Sequence, residues 1–536
     1  MVDLLLSLIP ILVILALLLV WKQPADITGI IGWAVTALVA VFAFNTGLDV
    51  IGRSTAAGLL KSLPVSLIVA TSLLQMALMQ TTGALSRVIV FIKSVSSENQ
   101  AVQIMMISIG FGTLMVAVGA TPVSILPPIL LALGYSAYTA IALPAIGYDA
   151  LCTYALLGAP VVVFLGMVNN IFGTPENPTP YALHDVGSIF WLFIPVVSTL
   201  IGFCMLWLVG KWKGVKQGFL PCIVTGVVIS VVSYFSNQVD NLVPLTGVLC
   251  GVAVILTMAL YLKITGKNIF ERKNLSPEDI RIEKSMPLWK GFLSWGILIV
   301  IVLFLNLNKS IFDYLFVTLK FPINGVAVGL PGKTSIDTRW LWNAYTWIFV
   351  STILSIPFLV TKKSQLVETG KLWLKRAPRP VFAAAIFFSI GEIMSTSGFS
   401  VSSNSFAKPS MIQILADNSA NFFGSLYSLI APFIGLLGGF ITGSESSTIG
   451  MFGAYAVKTA QKLPYSVPMI ILIAAAVAFG GGLASVISPA KLQNAAASID
   501  KMGEENKVIR VAFVFSLILT LITALFAFGF VFFKVV

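Results

Sequence analysis

The feature that most constrains this chain is a series of apolar runs, most close to the roughly 20 residues an α-helix needs to cross hydrocarbon. They fall at 4–21, 27–44, 64–80, 102–118, 150–168, 188–209, 219–234, 242–262, 292–307, 342–360, 380–393, 423–442, 467–479 and 511–533, about fourteen spans. With 57% hydrophobic and 10% charged residues, the 536-residue chain cannot cover a water-facing exterior with polar surface. An all-α polytopic protein of the plasma membrane, solvated by lipid, is expected. Run 4–21 lacks a basic flank before it and a small-residue cleavage site after it, so it reads as the first span rather than a signal peptide.

The net charge is +12. In a soluble protein that points to nucleic acid; here it fits basic residues at the cytoplasmic ends of spans, and no nucleic acid partner is expected. Lys211, Lys213 and Lys216 share one loop, Lys267, Arg272, Lys273, Arg281 and Lys284 a second, and Lys362 to Arg379 a third, whereas 172–187 holds no Lys or Arg. The three basic loops are therefore placed in the cytoplasm, and segments 172–187 and 308–338 outside. The stretch Leu330-Pro331-Gly332-Lys333-Thr334 resembles the end of a phosphate-binding loop, but Ala327 stands where the motif needs its first glycine. Cys152, Cys204, Cys222 and Cys250 sit in apolar runs with no CxxC pair and read as small core residues. With one histidine, His184, and no HExxH or GxSxG, neither an enzyme nor a metal or cofactor site is expected.

The chain resembles itself. Pro64-Val65 opens a span ending Thr81-Thr82-Gly83, and Pro380-Val381 one ending Thr396-Ser397-Gly398. Val118-Gly119-Ala120-Thr121-Pro122 aligns with Thr442-Gly443-Ser444-Glu445-Ser446, and Leu157-Gly158-Ala159-Pro160 with Ile487-Ser488-Pro489. Three blocks in the same order indicate duplication. The organisation expected is N-terminal spans at 1–59, a first repeat at 60–175, intervening spans at 176–375 with the cytoplasmic loop 265–287, and a second repeat with the last span at 376–536.

Each repeat contains a span that stops at a Gly/Ser/Thr cluster and resumes. Irregular backbone at membrane depth persists only inside protein or against a wet cavity, and paired breaks in two repeats point to a transporter's binding site. Half-helix N-termini aimed at one another suit a small carboxylate. Gly119, Ala120, Thr121, Pro122 and Ser124 of the first cluster, with Gly443, Ser444, Ser446, Ser447 and Thr448 of the second and Ser488, are the candidate substrate ligands. Neither cluster holds an Arg, which argues for a singly charged anion rather than a dicarboxylate or phosphate. Gly435 and Gly439 recur at four-residue spacing before Gly443 and suit close helix packing. Glu392, Glu445 and Asp149 are candidate proton carriers, Glu392 sharing a polar stripe with Ser389 and Thr396. Lys491 either pairs with a carboxylate or snorkels to an interface.

The run Val118-Gly119-Ala120-Thr121-Pro122-Val123-Ser124-Ile125-Leu126-Pro127-Pro128, with Leu131-Ala132-Leu133-Gly134-Tyr135 after it, resembles the lactate permease family. So do Phe440-Ile441-Thr442-Gly443-Ser444, Met451-Phe452-Gly453-Ala454 and Ile487-Ser488-Pro489. The resemblance implies proton symport of L-lactate, with D-lactate and glycolate as further substrates. It also implies an ion-transporter architecture of two inverted repeats with re-entrant hairpins and elevator-type motion. It departs at Glu445, where the family pattern implies Asn, and at Lys491, where an uncharged residue is implied. Na⁺-coupled transport of another small monocarboxylate is the alternative, an anion channel a more distant one, and a homodimer is left open.

Overall fold

The computed structural model describes residues 2–535 apart from 22, 96–98, 175, 274, 328–334 and 502, so the lysine-bearing stretch at 330–334, within the segment 308–338, lies outside the described residues. The chain is almost wholly helical, as hydrocarbon demands of a backbone that must satisfy its own polar groups. It opens with α1 (Val2–Leu19), α2 (Ala25–Phe44) and α3 (Leu48–Thr81). Then come α4 (Ala84–Lys93), α5 (Gln100–Ala117), α6 (Pro122–Ala132), α7 (Ala137–Tyr148) and α8 (Ala155–Phe172). The middle supplies α9 (Leu183–Trp191), α10 (Ile194–Gln217), α11 (Phe219–Asn237), α12 (Thr246–Ile264), the loop helix α13 (Pro277–Ser285), α14 (Leu293–Leu307) and α15 (Ala344–Leu359). The last third holds α16 (Lys363–Arg376), α17 (Pro378–Thr396), α18 (Met411–Phe423), α19 (Tyr427–Thr442), α20 (Glu445–Gln461), α21 (Val467–Leu483), α22 (Pro489–Ala497) and α23 (Glu505–Phe532). Two short antiparallel ribbons, Pro322–Asn324 with Ser335–Asp337 and Phe399–Ser400 with Ser405–Phe406, complete it.

Among the described residues, 11 helices are long and apolar enough to cross a membrane, or up to 12 if the pair bent by 90° at Leu293–Leu307 and Lys309–Thr318 is one span. Shorter apolar helices account for further runs, α6, α7 and α15 among them. Several expected boundaries are corrected. A span does not begin at Pro64: α3 starts at Leu48 and runs through the proline, with Ser66 Oγ bonded to the Ser62 carbonyl in that turn. The run 188–209 is two helices, α9 and α10, parted at residues 192–193, with Pro195 in the first turn of α10 where its missing N–H costs little. Lys211, Lys213 and Lys216 lie on the last turns of α10 rather than in a loop, and Lys211 has φ 51°.

Polar ties gather the basic segments at one end. Thr81 and Thr369 share a 2.7 Å hydrogen bond, Arg379 pairs with Asp26 at 3.4 Å, and Arg87 Nε donates to the Met286 carbonyl. Lys93 bonds Asp279 on α13 at 2.9 Å. Burial opposes ionisation of Asp279, but bonds from Ser276 and Lys93 outweigh it and hold the carboxyl below its usual range. At the other end Ser54 meets Thr396 at 2.7 Å and the Gly398 amide donates to Thr46. α3 and α17 therefore run antiparallel, side by side.

α21 is buried along most of its length, from Met469 to Leu483, and forms the core against α19 and α20. Gly435 and Gly439 make that packing possible. A Cβ on Gly435 would strike the Val477 carbonyl, and one on Gly439 the Gly481 carbonyl, so the two backbones touch.

Candidate functional site

In the first interrupted helix, α5 changes to π geometry over Met105–Phe111 and ends at Ala117. Gly119 then takes φ 87°, a conformation that admits glycine without steric cost. Thr121 is extended, Pro122 occupies the first position of α6, and the Thr121 side chain makes no cap hydrogen bond. The ends away from the break lie together, since Tyr135 Oη donates to Gln103 Oε1 at 2.9 Å.

The second has the same plan. α19 ends at Thr442, Gly443 turns the chain at φ 66°, and α20 restarts at Glu445 behind Ser444. Ser444 Oγ accepts from the Ser447 amide at 3.4 Å, while the Thr442 and Thr448 hydroxyls donate to the Ser444 carbonyl at 2.9 and 2.8 Å. Two of the hydroxyls expected to serve a ligand, those of Ser444 and Thr448, thus hold the turn. Tyr465 Oη donates to the Ser425 carbonyl at 3.1 Å and brings the far ends of this pair together.

Two further breaks meet these. Between α7 and α8 the chain makes a 3-10 turn at Asp149–Tyr154, followed by Leu156, Leu157 and Gly158 at φ 54°, 56° and 75°. Left-handed leucines cost about 1–2 kcal/mol each and persist where surroundings impose them, often at functional sites. Between α21 and α22 lies a 3-10 turn, Ser485–Ile487, followed by extended Ser488.

The four breaks converge. Thr153 Oγ1 donates to Glu445 Oε1 at 2.9 Å. A Cβ on Gly443 would lie 2.9 Å from Ser488 Oγ, and one on Gly119 3.6 Å from Leu156 Cδ2. α6 packs on α22 as α20 packs on α8. Glu445, Ser446, Ser447, Thr448, Ser488 and Ala120 are buried; Thr121 is half-buried and Ser124 is exposed. The side chain of Asp149 lies outside the described residues. Thr153 and Leu156 are not singled out by the sequence, although the repeated block at Leu157-Gly158-Ala159-Pro160 marks their neighbourhood.

Beside this centre lies a cavity of about 670 Å³. Both segments expected outside contribute to it, through Tyr181, Asp185, Phe316 and Asp337. Its inner wall is Phe388 with Ile449 and Gly450, one turn along α20 from Glu445. Lys61 and Glu392 line it as an ion pair of 2.6 Å, each side chain about one-fifth exposed, with Lys458 also in the wall. Gly119–Ser124 and Gly443–Thr448 do not line it.

The profile of the L-lactate permease family matches residues 3–534. The chain belongs to that family. The glycolate permease GlcA of Escherichia coli K12 is 23% identical over 98% of this chain and 96% of its own length. The L-lactate permease of the same strain is 22% identical over 80% of this chain and 77% of its own, and that of Bacillus subtilis 168 is 21% identical over 97% and 94%. Among solved structures, Neisseria gonorrhoeae MtrF, described as illuminating a class of antimetabolite efflux pumps, aligns at 14% identity and TM-score 0.45 over 91% of this chain and 85% of its own.

In this member of the L-lactate permease family the coupling candidates occupy different settings. Glu392 faces the cavity, with Ser389 Oγ bonded to the Thr55 carbonyl and Thr396 Oγ1 to the Glu392 carbonyl on the same stripe. Glu445 lies at the convergence of breaks, bonded to Thr153 and beside Gly482. Lys61, which a reading limited to spans beginning at Pro64 misses, holds Glu392.

Proposed function

We propose that this chain is a secondary active transporter that imports L-lactate, or a related 2-hydroxymonocarboxylate such as glycolate, with protons across the plasma membrane. The observation that carries the reading is the meeting of four helix breaks in a member of the L-lactate permease family. Interrupted helices present amides and hydroxyls at membrane depth, and the absence of Arg from both clusters favours a single carboxylate. Gly119 to Ser124, Gly443 to Thr448 and Ser488 are the ligands this reading assigns.

The pairs α5–α6 and α19–α20 read as re-entrant hairpins entering from opposite faces, with α7–α8 and α21–α22 as broken spans. Inverted repeats are supported by two runs of equal length, Leu48–Thr81 and Lys363–Thr396, lying antiparallel. Elevator motion would carry the hairpin tips and the substrate together. Moving one anion with one proton transfers no net charge, so a membrane potential, worth about 2.3 kcal/mol per charge per 100 mV, does not oppose uptake. Glu392 and Glu445 are the proton carriers this reading favours.

Counterflow of labelled L-lactate in proteoliposomes tests the carrier reading: exchange against a gradient is expected, and passive equilibration alone would mean a channel. Lactate-driven alkalinisation outside the vesicles, unchanged when Na⁺ is omitted, is expected of proton symport; a strict Na⁺ requirement would replace H⁺ by Na⁺.

A further inference from the structure

The wall of the cavity formed by α3, α17 and α20 holds an imbalance of charge. Lys61 and Glu392 cancel as a 2.6 Å pair. Lys458, half-buried on α20 in the same wall, forms no ion pair or side-chain hydrogen bond among the described residues. The carboxylates acting on it are Glu392 and Asp417, and both are committed elsewhere, Asp417 to Lys462 at 3.0 Å. The cluster of Lys61, Lys458 and Glu392 therefore sums to 2 − 1 = +1. A cation held partly out of water without a partner is costly, and a bound counter-charge recovers that cost. Elsewhere in the lining Asp337 is tied to Arg339 at 3.1 Å, Asp240 and Asp185 lie against the His184 ring at 2.9 and 3.2 Å, and Asp313 and Lys320 add one charge of each sign, so the positive excess belongs to the Lys61, Glu392 and Lys458 wall alone.

We propose that Lys458, with Lys61 beside it, forms an outer capture site for one monocarboxylate, where a substrate entering from the loop-lined side pauses before it reaches the hairpin. The anion's carboxylate takes the Lys458 ammonium and neutralises the cluster. One negative charge completes the balance, and a second would be left without a partner, so the site selects monocarboxylates over dicarboxylates. The Ser395 side chain in the same wall offers a hydroxyl to the substrate's 2-hydroxyl. From Lys458 the path to Gly450, at the inner wall, is eight residues of α20, about 12 Å. Capture precedes and is separate from binding between the hairpin tips. The site rests on the carrier reading above and deepens it.

The test is initial-rate uptake of labelled L-lactate into proteoliposomes, with unlabelled competitors. Lys458→Gln is expected to raise KM tenfold or more, with a much smaller change in the saturated rate, and Lys458→Arg to restore KM to within about threefold. Propionate should compete in the wild type, while succinate and the uncharged lactamide should not. Lys61→Gln, which leaves Lys458 with Glu392 as its partner, is a second arm and should also raise KM. An unchanged KM in folded Lys458→Gln, or equal inhibition by succinate and propionate, overturns the capture site while leaving the carrier intact. A wild-type protein that shows no lactate counterflow at all would instead bring down the carrier reading.

Discussion

At the residue scale, burial and partner separate carboxylates that look alike in sequence. Glu392 and Glu445 both interrupt apolar context, yet one holds an ammonium at the wall of a wet cavity and the other takes a threonine hydroxyl at the meeting of the breaks. Glu392 faces the cavity, and its partner Lys61 stands where the proposed anion would be captured. Glu392→Gln is therefore expected to abolish lactate accumulation driven by a pH gradient while keeping lactate counterflow. Preserved pH-driven accumulation would remove Glu392 as the carrier of the proton. The polar stripe of Ser389, Glu392 and Thr396 is legible from spacing alone. Its partner is not, because Lys61 lies 331 residues away and nothing local in either segment specifies the pairing.

At the element scale, glycines of one helix do different work. Gly435 and Gly439 give their surface to α21, whereas Gly443 turns the chain at φ 66° and faces Ser488. Gly439→Val should drive α19 off the Gly481 carbonyl and destabilise the fold by about 1–3 kcal/mol or more, read as a lower melting temperature of detergent-solubilised protein. A variant that melts with the wild type would contradict the packing described. The four-residue glycine spacing and the clusters at 118–122 and 443–448 are readable because small residues are rarely massed in a lipid-facing helix. The start of α3 is less readable: Arg53 and Lys61 interrupt its hydropathy, so the apolar run begins only at Pro64 while the helix begins at Leu48. The left-handed turn at Leu156 and Leu157 carries no local signal, because leucine there is held by tertiary surroundings rather than by its own preference.

At the scale of the whole molecule, loop charge predicts sidedness, and the polar ties hold two of the three basic segments at one end. Segments 81–93, 277–286 and 365–379 are bound together at one end, while the ribbon at 399–406 and the cavity mouth lie at the other. In a background with the four native cysteines replaced, Ser403→Cys should react with an impermeant maleimide added outside cells, and Lys284→Cys only after permeabilisation. The reverse pattern would invert the orientation. The span count is the least readable quantity at this scale, because interrupted helices divide apolar length between pieces too short to be counted as crossings.

The most direct measurement concerns the junction of Gly443 with Ser488. A Cβ built on Gly443 lies 3.6 Å from the Ser488 Cβ, within the span a disulfide bridges. In the cysteine-replaced background, the pair Gly443→Cys and Ser488→Cys should cross-link on oxidation and tie the turn between α19 and α20 to the neighbouring break. Lactate counterflow in proteoliposomes should then be lost on oxidation and return with reductant. Wild-type counterflow through fully cross-linked protein would contradict a transport path that runs through these breaks.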